Sequence, residues 1–188
     1  MVFGITSNSL ERGWNMEMYD LSILVFKKKL SVLFEILQKT SRQLYEKGVE
    51  QDIILTASLA PDMWNFTKQV QTSTDFMKNG AARLAGIELQ RFPDSEASLE
   101  ALQTRIIKTI SFLNEIKPDQ INGSENKLIN IKIRDEEYEF LGSDFLTTFV
   151  IPNVYFHISV AYGILRANNV SVGKRDYLGN QMINFLVR

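Results

Sequence analysis

Residues 20–48, DLSILVFKKKLSVLFEILQKTSRQLYEKG, repeat their apolar positions at helical spacing. Ile23, Phe26, Leu30, Leu33, Phe34, Leu37, Leu44 and Tyr45 fall on one stripe, the pattern of an amphipathic helix that buries one side. Asp20 suits its start. Gly48 suits its end, because glycine accepts the left-handed conformation that closes a helix.

The same period recurs three more times. Pro61 fits the first turn of a second helix, where its missing N–H leaves nothing unsatisfied, and Asp62 beside it favours the positive end of the helix dipole. Met63, Phe66, Val70, Thr74, Met77, Ala81 and Leu84 carry the stripe, and Gly86 ends it. The small residues Gly80, Ala81, Ala82 and Ala85 allow close approach by a neighbour. Between helices one and two, Gln51 to Leu55 suggests a single helical turn. Ser95 or Ser98 caps a third helix with Leu99, Leu102, Ile106, Ile110, Leu113 and Ile116 as its apolar side; Lys117 lies in its last turn and Pro118 stops it. A fourth, capped at Ser143 or Asp144, runs through Leu146, Phe149, Val150, Val154, Val160, Ala161, Ile164 and Leu165 to Asn168-Asn169. Pro152 falls inside it, where a kink or break is expected.

Between helices three and four the period changes to two. Ile129, Ile131 and Ile133 alternate with polar residues, and after Asp135-Glu136 so do Tyr138 and Phe140. That pattern predicts a small β-hairpin with one apolar face laid on the helices. Four long amphipathic helices with so little sheet predict an all-α four-helix bundle. Residues 1–17 are polar and aperiodic and read as a disordered N-terminal arm carrying Trp14. Residues 18–188 read as one helical domain, with Met182, Ile183, Phe185 and Leu186 as a last short helix.

Composition narrows the chemistry. With 21 Lys plus Arg and 22 Asp plus Glu, the 188-residue chain has a net charge of -1, without the basic footprint of a nucleic-acid binder. Lys27-Lys28-Lys29 is its only dense basic run and reads as a solvated helix face. The chain contains no cysteine, which excludes disulfides, thiolate nucleophiles and iron–sulfur clusters. No apolar run suggests the roughly 20 residues of a membrane span, and no secretory leader is visible, so a cytoplasmic protein is expected.

Five spaced motifs resemble one family: Met18-Tyr19-Asp20-Leu21, Leu59-Ala60-Pro61-Asp62-Met63, Arg83-Leu84-Ala85-Gly86, Pro152-Asn153-Val154-Tyr155-Phe156-His157, and Gly173-Lys174-Arg175-Asp176-Tyr177-Leu178-Gly179. The resemblance, over residues 18–179, is to an uncharacterised domain-of-unknown-function family allied to the DinB/YfiT-like metalloenzymes. It implies a DinB/YfiT-like four-helix bundle with long crossovers, often dimeric, and no established activity. The wider superfamily implies a divalent metal held by three histidines, one on the second helix and two on the last, four residues apart. Members that act on substrates use thiol cofactors, or the metal as a Lewis acid. This chain departs from that pattern. Its one histidine, His157, matches the last ligand; the position four earlier is Asn153, and the second-helix ligand falls near Gln69.

Asn153 and His157 share a helix face and point inward, where each needs a partner. Two readings stay open: a hydrogen-bonded cluster that sets helix register, or a remnant pocket of His157, Asn153 and Gln69, with Tyr155 and Asp62 as further lining candidates. A three-ligand metal site is not expected, because neutral amides bind zinc poorly and Asp20, Glu35, Asp62 and Asp75 share no evident register with His157; His157 is a lone weak metal candidate. Asp135-Glu136-Glu137 reads as a solvated turn. Tyr155, Tyr162 and Tyr177 read as core with hydroxyls at the rim. Arg166 suits an acid near the tail, and Lys174-Arg175-Asp176 a lock of tail onto bundle.

Three functions follow. The first is a non-catalytic protein that binds a small ligand or a partner, without metal or other cofactor. The second is a divalent-metal-dependent hydrolase or thiol-transferase-like enzyme using His157. The third is a structural homodimer joined through the small residues of helix two. Neither nucleic acid nor membrane is expected as a partner.

Overall fold

The computed structural model describes residues 16–179. The first fifteen residues with Trp14, and the expected helix over 182–186, lie outside the described residues. Glu17, assigned by sequence to the loose arm, is held in place: its carboxylate accepts from the Asn122 side chain, whose Oδ1 accepts from Tyr19 N at 3.0 Å.

The first helix opens with a π-helical turn, Asp20–Leu24, and continues as α1 (Val25–Lys47). It ends where expected, with Gly48 at φ 61°. A single turn, α2 (Asp52–Leu55), follows. The next long helix, α3 (Phe66–Ala85), starts later than Pro61. Asn65 is its cap, with Oδ1 accepting from Lys68 N at 2.9 Å. Phe66 is fully buried and its N–H donates to the Ala57 carbonyl at 2.8 Å. A side-chain cap plus a buried first-turn anchor outweighs a proline that only tolerates a helix start. Residues 59–63 therefore form an irregular connection.

Ser98 caps α4 (Leu99–Glu115) by accepting from Ala101 N at 3.0 Å. The helix stops short of Lys117, and Pro118 opens a separate short helix, α5 (Pro118–Ile121). After a 3₁₀ turn come β1 (Leu128–Ile133) and β2 (Glu136–Leu141), an antiparallel pair with Ile129 opposite Phe140 and Ile131 opposite Tyr138. Ile129 and Ile131 are buried, and Phe140 packs on Phe145 and Phe149, so the ribbon lays one face on the helices.

The last long helical run has three parts: α6 (Gly142–Asp144), a π-helical segment Phe145–Val150, and α7 (Ile151–Ala167). It begins at Gly142, one or two residues before the expected caps, where an added Cβ would come within 1.9 Å of the Ser124 carbonyl oxygen. Only glycine fits there. Pro152 breaks nothing. It occupies the first turn of α7, and the π segment before it widens the coil where the missing N–H and the ring would disturb an α-helix.

Because these parts are continuous, Gly142–Ala167 forms a 26-residue helix long and apolar enough, by length and composition, to cross a membrane. That corrects the expectation that no such run exists. Its buried side packs on α3, the pattern of a core helix. After Asn168 and Asn169 end it, α8 (Lys174–Leu178) returns to α1.

The body is thus mostly helical, with one small antiparallel hairpin. α3 packs against both α7 and α4, α1 packs against α4, and apolar residues from all four long helices share one core. The small residues of α3 serve this interior. Gly80 faces Val150, where a Cβ would come within 2.8 Å of Val150 Cγ1, and Ala81 and Ala82 are fully buried. A homodimer therefore needs some other surface.

Candidate functional site

α3 and α7 bring Gln69, in the first turn of α3, and His157, midway along α7, together. His157 Nδ1 lies 2.7 Å from Gln69 Oε1, and Gln69 Nε2 donates to the Trp64 carbonyl at 3.1 Å. These two bonds fix the tautomer. A carbonyl only accepts, so the amide nitrogen faces Trp64; its oxygen then faces the ring, and Nδ1 carries the proton. The imidazole lies between the Trp64 and Phe76 rings, with centroids 5.7 Å away on either side and interplanar angles of 14° and 20°. Phe156 meets it edge-on at 5.2 Å. His157 is 6% exposed, and burial pushes its pKa down to about 4. The ring is neutral at pH 7.

The other candidates go elsewhere. Asn153, half-buried, turns its Nδ2 to the Phe149 carbonyl at 2.7 Å within its own helical run. Tyr155 belongs to another cluster, in which the Lys29 ammonium lies 5.1 Å from the Tyr155 centroid and 5.0 Å from that of Tyr177. Burial raises the Tyr155 pKa, and burial also lowers that of Lys29, so Lys29 is not the solvated residue expected. Asp62 is exposed on the connection before α3. Arg166 donates to the Val172 carbonyl at 2.9 Å rather than to an acid, while Asp176 does lock the tail, through Lys39 at 2.9 Å.

These residues do not fit the metal that the superfamily resemblance implies. Gln69 has both amide atoms engaged, Asn153 offers at most one neutral oxygen, and His157 only Nε2. Glu35 and Asp62 are exposed, and Asp75 is paired with Lys78 and Arg105. Among the described residues no group of three His, Asp or Glu side chains is placed to hold an ion. One imidazole and a neutral amide fall short of the three protein ligands that a catalytic zinc site uses.

A cavity lies close by, and sequence reading missed it. It is a half-open recess of about 190 Å³ between α3, the π segment and β1. Phe76 and Phe149 help to wall it. They meet edge-on at 5.6 Å, and Phe76 also stacks on the His157 ring at 5.7 Å, so Phe76 links the cavity to the histidine. Thr72, Asn79 and Arg83 add polar groups from α3. The signal available in the sequence was the spacing of Phe76, Asn79 and Arg83, which puts them on one helix face beside a stripe that must stay small at Gly80.

The structure is similar to the 1.83 Å crystal structure of a DinB family member protein from Shewanella denitrificans, which is 38% identical; the match covers 86% of this chain and 91% of that one, with a TM-score of 0.79. No curated protein matches the chain. Residues 18–178 match the family described as Domain of unknown function (DUF1993), which bears out the resemblance carried by the five motifs, and the chain belongs to that family.

Proposed function

We propose that this protein is a non-catalytic, small-ligand-binding member of the DinB-like four-helix bundles. The observation that carries the reading is the cavity beside His157, combined with a histidine whose neighbours are already engaged. A metalloenzyme needs converging, deprotonated donors. Here the groups at the superfamily's ligand positions bond to one another, to the Trp64 carbonyl and to the Phe149 carbonyl, and so act as framework. A preformed, mostly apolar recess with a few polar groups is the usual form of a small-molecule site. In this reading His157 and Gln69 hold α3 and α7 in register, and the register keeps Phe76 in place as the cavity wall.

Two measurements on the purified chain test this. Backbone and aromatic NMR shifts, followed during a screen of small apolar and amphipathic compounds, are expected to move first at Phe76, Asn79 and Phe149. Elemental analysis is expected to find no stoichiometric zinc, nickel or manganese. A stoichiometric metal that is lost in a folded His157→Gln variant would overturn the proposal in favour of the metal-dependent enzyme.

A further inference from the structure

We propose that the cavity takes a small organic carboxylate with a compact apolar body, its anionic end held by Arg83 and Asn79 and its body against Phe76, Phe149 and Val150. This rests on the ligand-binding reading and assigns that ligand its chemical class.

Charge supplies the first argument. Arg83 is half-buried at the cavity and forms no ion pair among the described residues. Its backbone carbonyl is satisfied by Lys127, but no hydrogen bond engages its guanidinium there. Burial holds the Arg83 pKa below its ordinary value, as expected of a cation that has lost water without gaining a counter-ion. The cavity's other charges do not remedy this. Asp75 is its one carboxylate, and that group already faces Lys78 at 3.2 Å and Arg105 at 2.9 Å. Lys132, at the rim, stands opposite Glu137 in the hairpin register. Among the described residues, Arg83 is the half-buried cation at the cavity that has no ion-pair partner.

The second argument is donor geometry. Asn79 is four residues before Arg83, so both sit on the same face of α3. No hydrogen bond engages the Asn79 side chain among the described residues. A guanidinium fork with a neighbouring amide suits the two oxygens of a carboxylate, which accept parallel N–H bonds.

Size and wall chemistry supply the third. A protein cavity of about 150 Å³ holds one benzene molecule; 190 Å³ admits a ring or branched chain of that size with a small polar head. Phe76, Phe145, Phe149, Val150 and Ile131 present apolar surface to it. The π segment contributes three of these five, and Gly80 lets it come close enough to α3 to close that side.

Calorimetric titration of the full chain with phenylacetate, neutral phenylacetamide and toluene tests the assignment. Phenylacetate is expected to bind at least about tenfold more tightly than phenylacetamide, the scale of a charge-assisted pair. In Arg83→Met, which keeps the apolar stem of the side chain, that preference is expected to vanish while toluene binding persists. Equal affinity for acid and amide in the wild type, or an undiminished preference in the variant, overturns the carboxylate assignment and leaves the ligand-binding reading standing. Failure of all three probes to bind overturns both. An unchanged melting temperature for Arg83→Met in the absence of ligand separates lost recognition from lost folding.

Discussion

His157 donates its Nδ1 proton to Gln69 Oε1 across 88 residues of sequence, and this bond joins the two helices that pack most closely in the core. The pair occupies two of the three positions where the wider superfamily resemblance implies metal ligands. A neutral amide cannot replace an imidazole as a strong ligand, but it can receive that imidazole's proton. The same placement that would serve coordination here serves hydrogen bonding, and the burial of the ring itself makes the neutral form the stable one.

The first expected outcome concerns pH. In the unfolded chain His157 titrates near the ordinary value of about 6.5; in the folded chain it titrates near 4. Between these values the unfolded state binds more protons, so stability rises with pH, is complete above about 6.5 and is lost as pH falls through 4. The effect is at most about 3 kcal/mol. Asp94 and Asp176, whose pKa values are lowered, add a further loss as pH falls into the carboxylate range, and this loss is common to wild type and variant. Urea midpoints at pH 7 and pH 4.5 should therefore fall steeply for the wild type. His157→Gln removes the titrating group, so its midpoint should fall much less over the same interval. Equal slopes for both proteins would remove His157 as the cause.

Much of this arrangement was legible because it follows from period and sterics. Helical stripes located the four long helices, alternation located the hairpin, and Gly48 and Gly86 marked two ends with left-handed geometry. The Gln69–His157 meeting followed from the ligand positions that the superfamily resemblance implies, on the second and last helices. What failed were competitions between local signals. Pro61 looked like a helix start, yet Asn65 supplies a real cap and Phe66 a buried anchor. Pro152 looked like a kink or break; the helical run continues through it, with a change from π to α geometry directly before it. Asn153 shares a face with His157, but a carbonyl four residues back satisfies it sooner. The cavity stayed hidden because Phe149 and Val150 read as core and Phe76 falls outside the second helix's stripe, so nothing joined them until the neighbouring β1 was placed.

Gly80 and Val150 provide a packing test. A Cβ on residue 80 would lie 2.8 Å from Val150 Cγ1 and 3.1 Å from Cγ2. Valine is stiff at χ1 and tied to the π segment, so it yields little. Gly80→Ala gains about 1 kcal/mol of helix propensity and loses more through overpacking, typically about 1–3 kcal/mol; a net loss is expected. Val150→Ala removes both methyls. The double variant should be more stable than the sum of the single losses, by about 1 kcal/mol or more in a denaturation cycle. Strict additivity would mean that the contact is not the source of the loss.

Asp176 should matter locally more than globally. Burial pushes its carboxyl pKa up, but Lys39 and the Gly173 N–H outweigh this and hold it below the usual range. The Lys39 pair is 2.9 Å long and partly exposed, with side-chain exposures of 43% and 29%, so it contributes less than about 1 kcal/mol. Asp176→Asn is expected to leave the global unfolding midpoint nearly unchanged. Amide exchange at Tyr177 and Gly179 should nevertheless accelerate, because their N–H bonds lie in the α8 turn that Asp176 caps and ties to α1. Unchanged exchange at both amides would show that α8 is held by packing alone.

Arg105 should carry the largest single energetic effect. It is 1% exposed at the side chain and reaches Asp75 at 2.9 Å, Asp94 at 3.2 Å and Glu96 at 3.0 Å. Its Nε donates to Thr74 Oγ1 at 2.8 Å and its Nη1 to the Pro93 carbonyl at 3.1 Å, so one side chain gathers the 87–98 connection onto α3 and α4. Replacing it with methionine keeps much of the volume and leaves Asp75, Asp94 and Glu96 around an apolar tip, with Lys78 and Lys68 as the cations still paired to the first two. Losing one partner of such a cluster costs about 3–5 kcal/mol. The pH dependence separates this from a packing defect. Burial pushes the Asp94 carboxyl up, but Lys68 first and Arg105 second hold it below the ordinary carboxylate range. Arg105→Met removes the second of these, and with it stability that is present above the carboxylate range and is lost as pH falls through it. The deficit of Arg105→Met relative to wild type should therefore be largest at pH 7 and shrink toward pH 4. A deficit that stays constant with pH would mean that the loss arises from shape and not from the uncompensated acids.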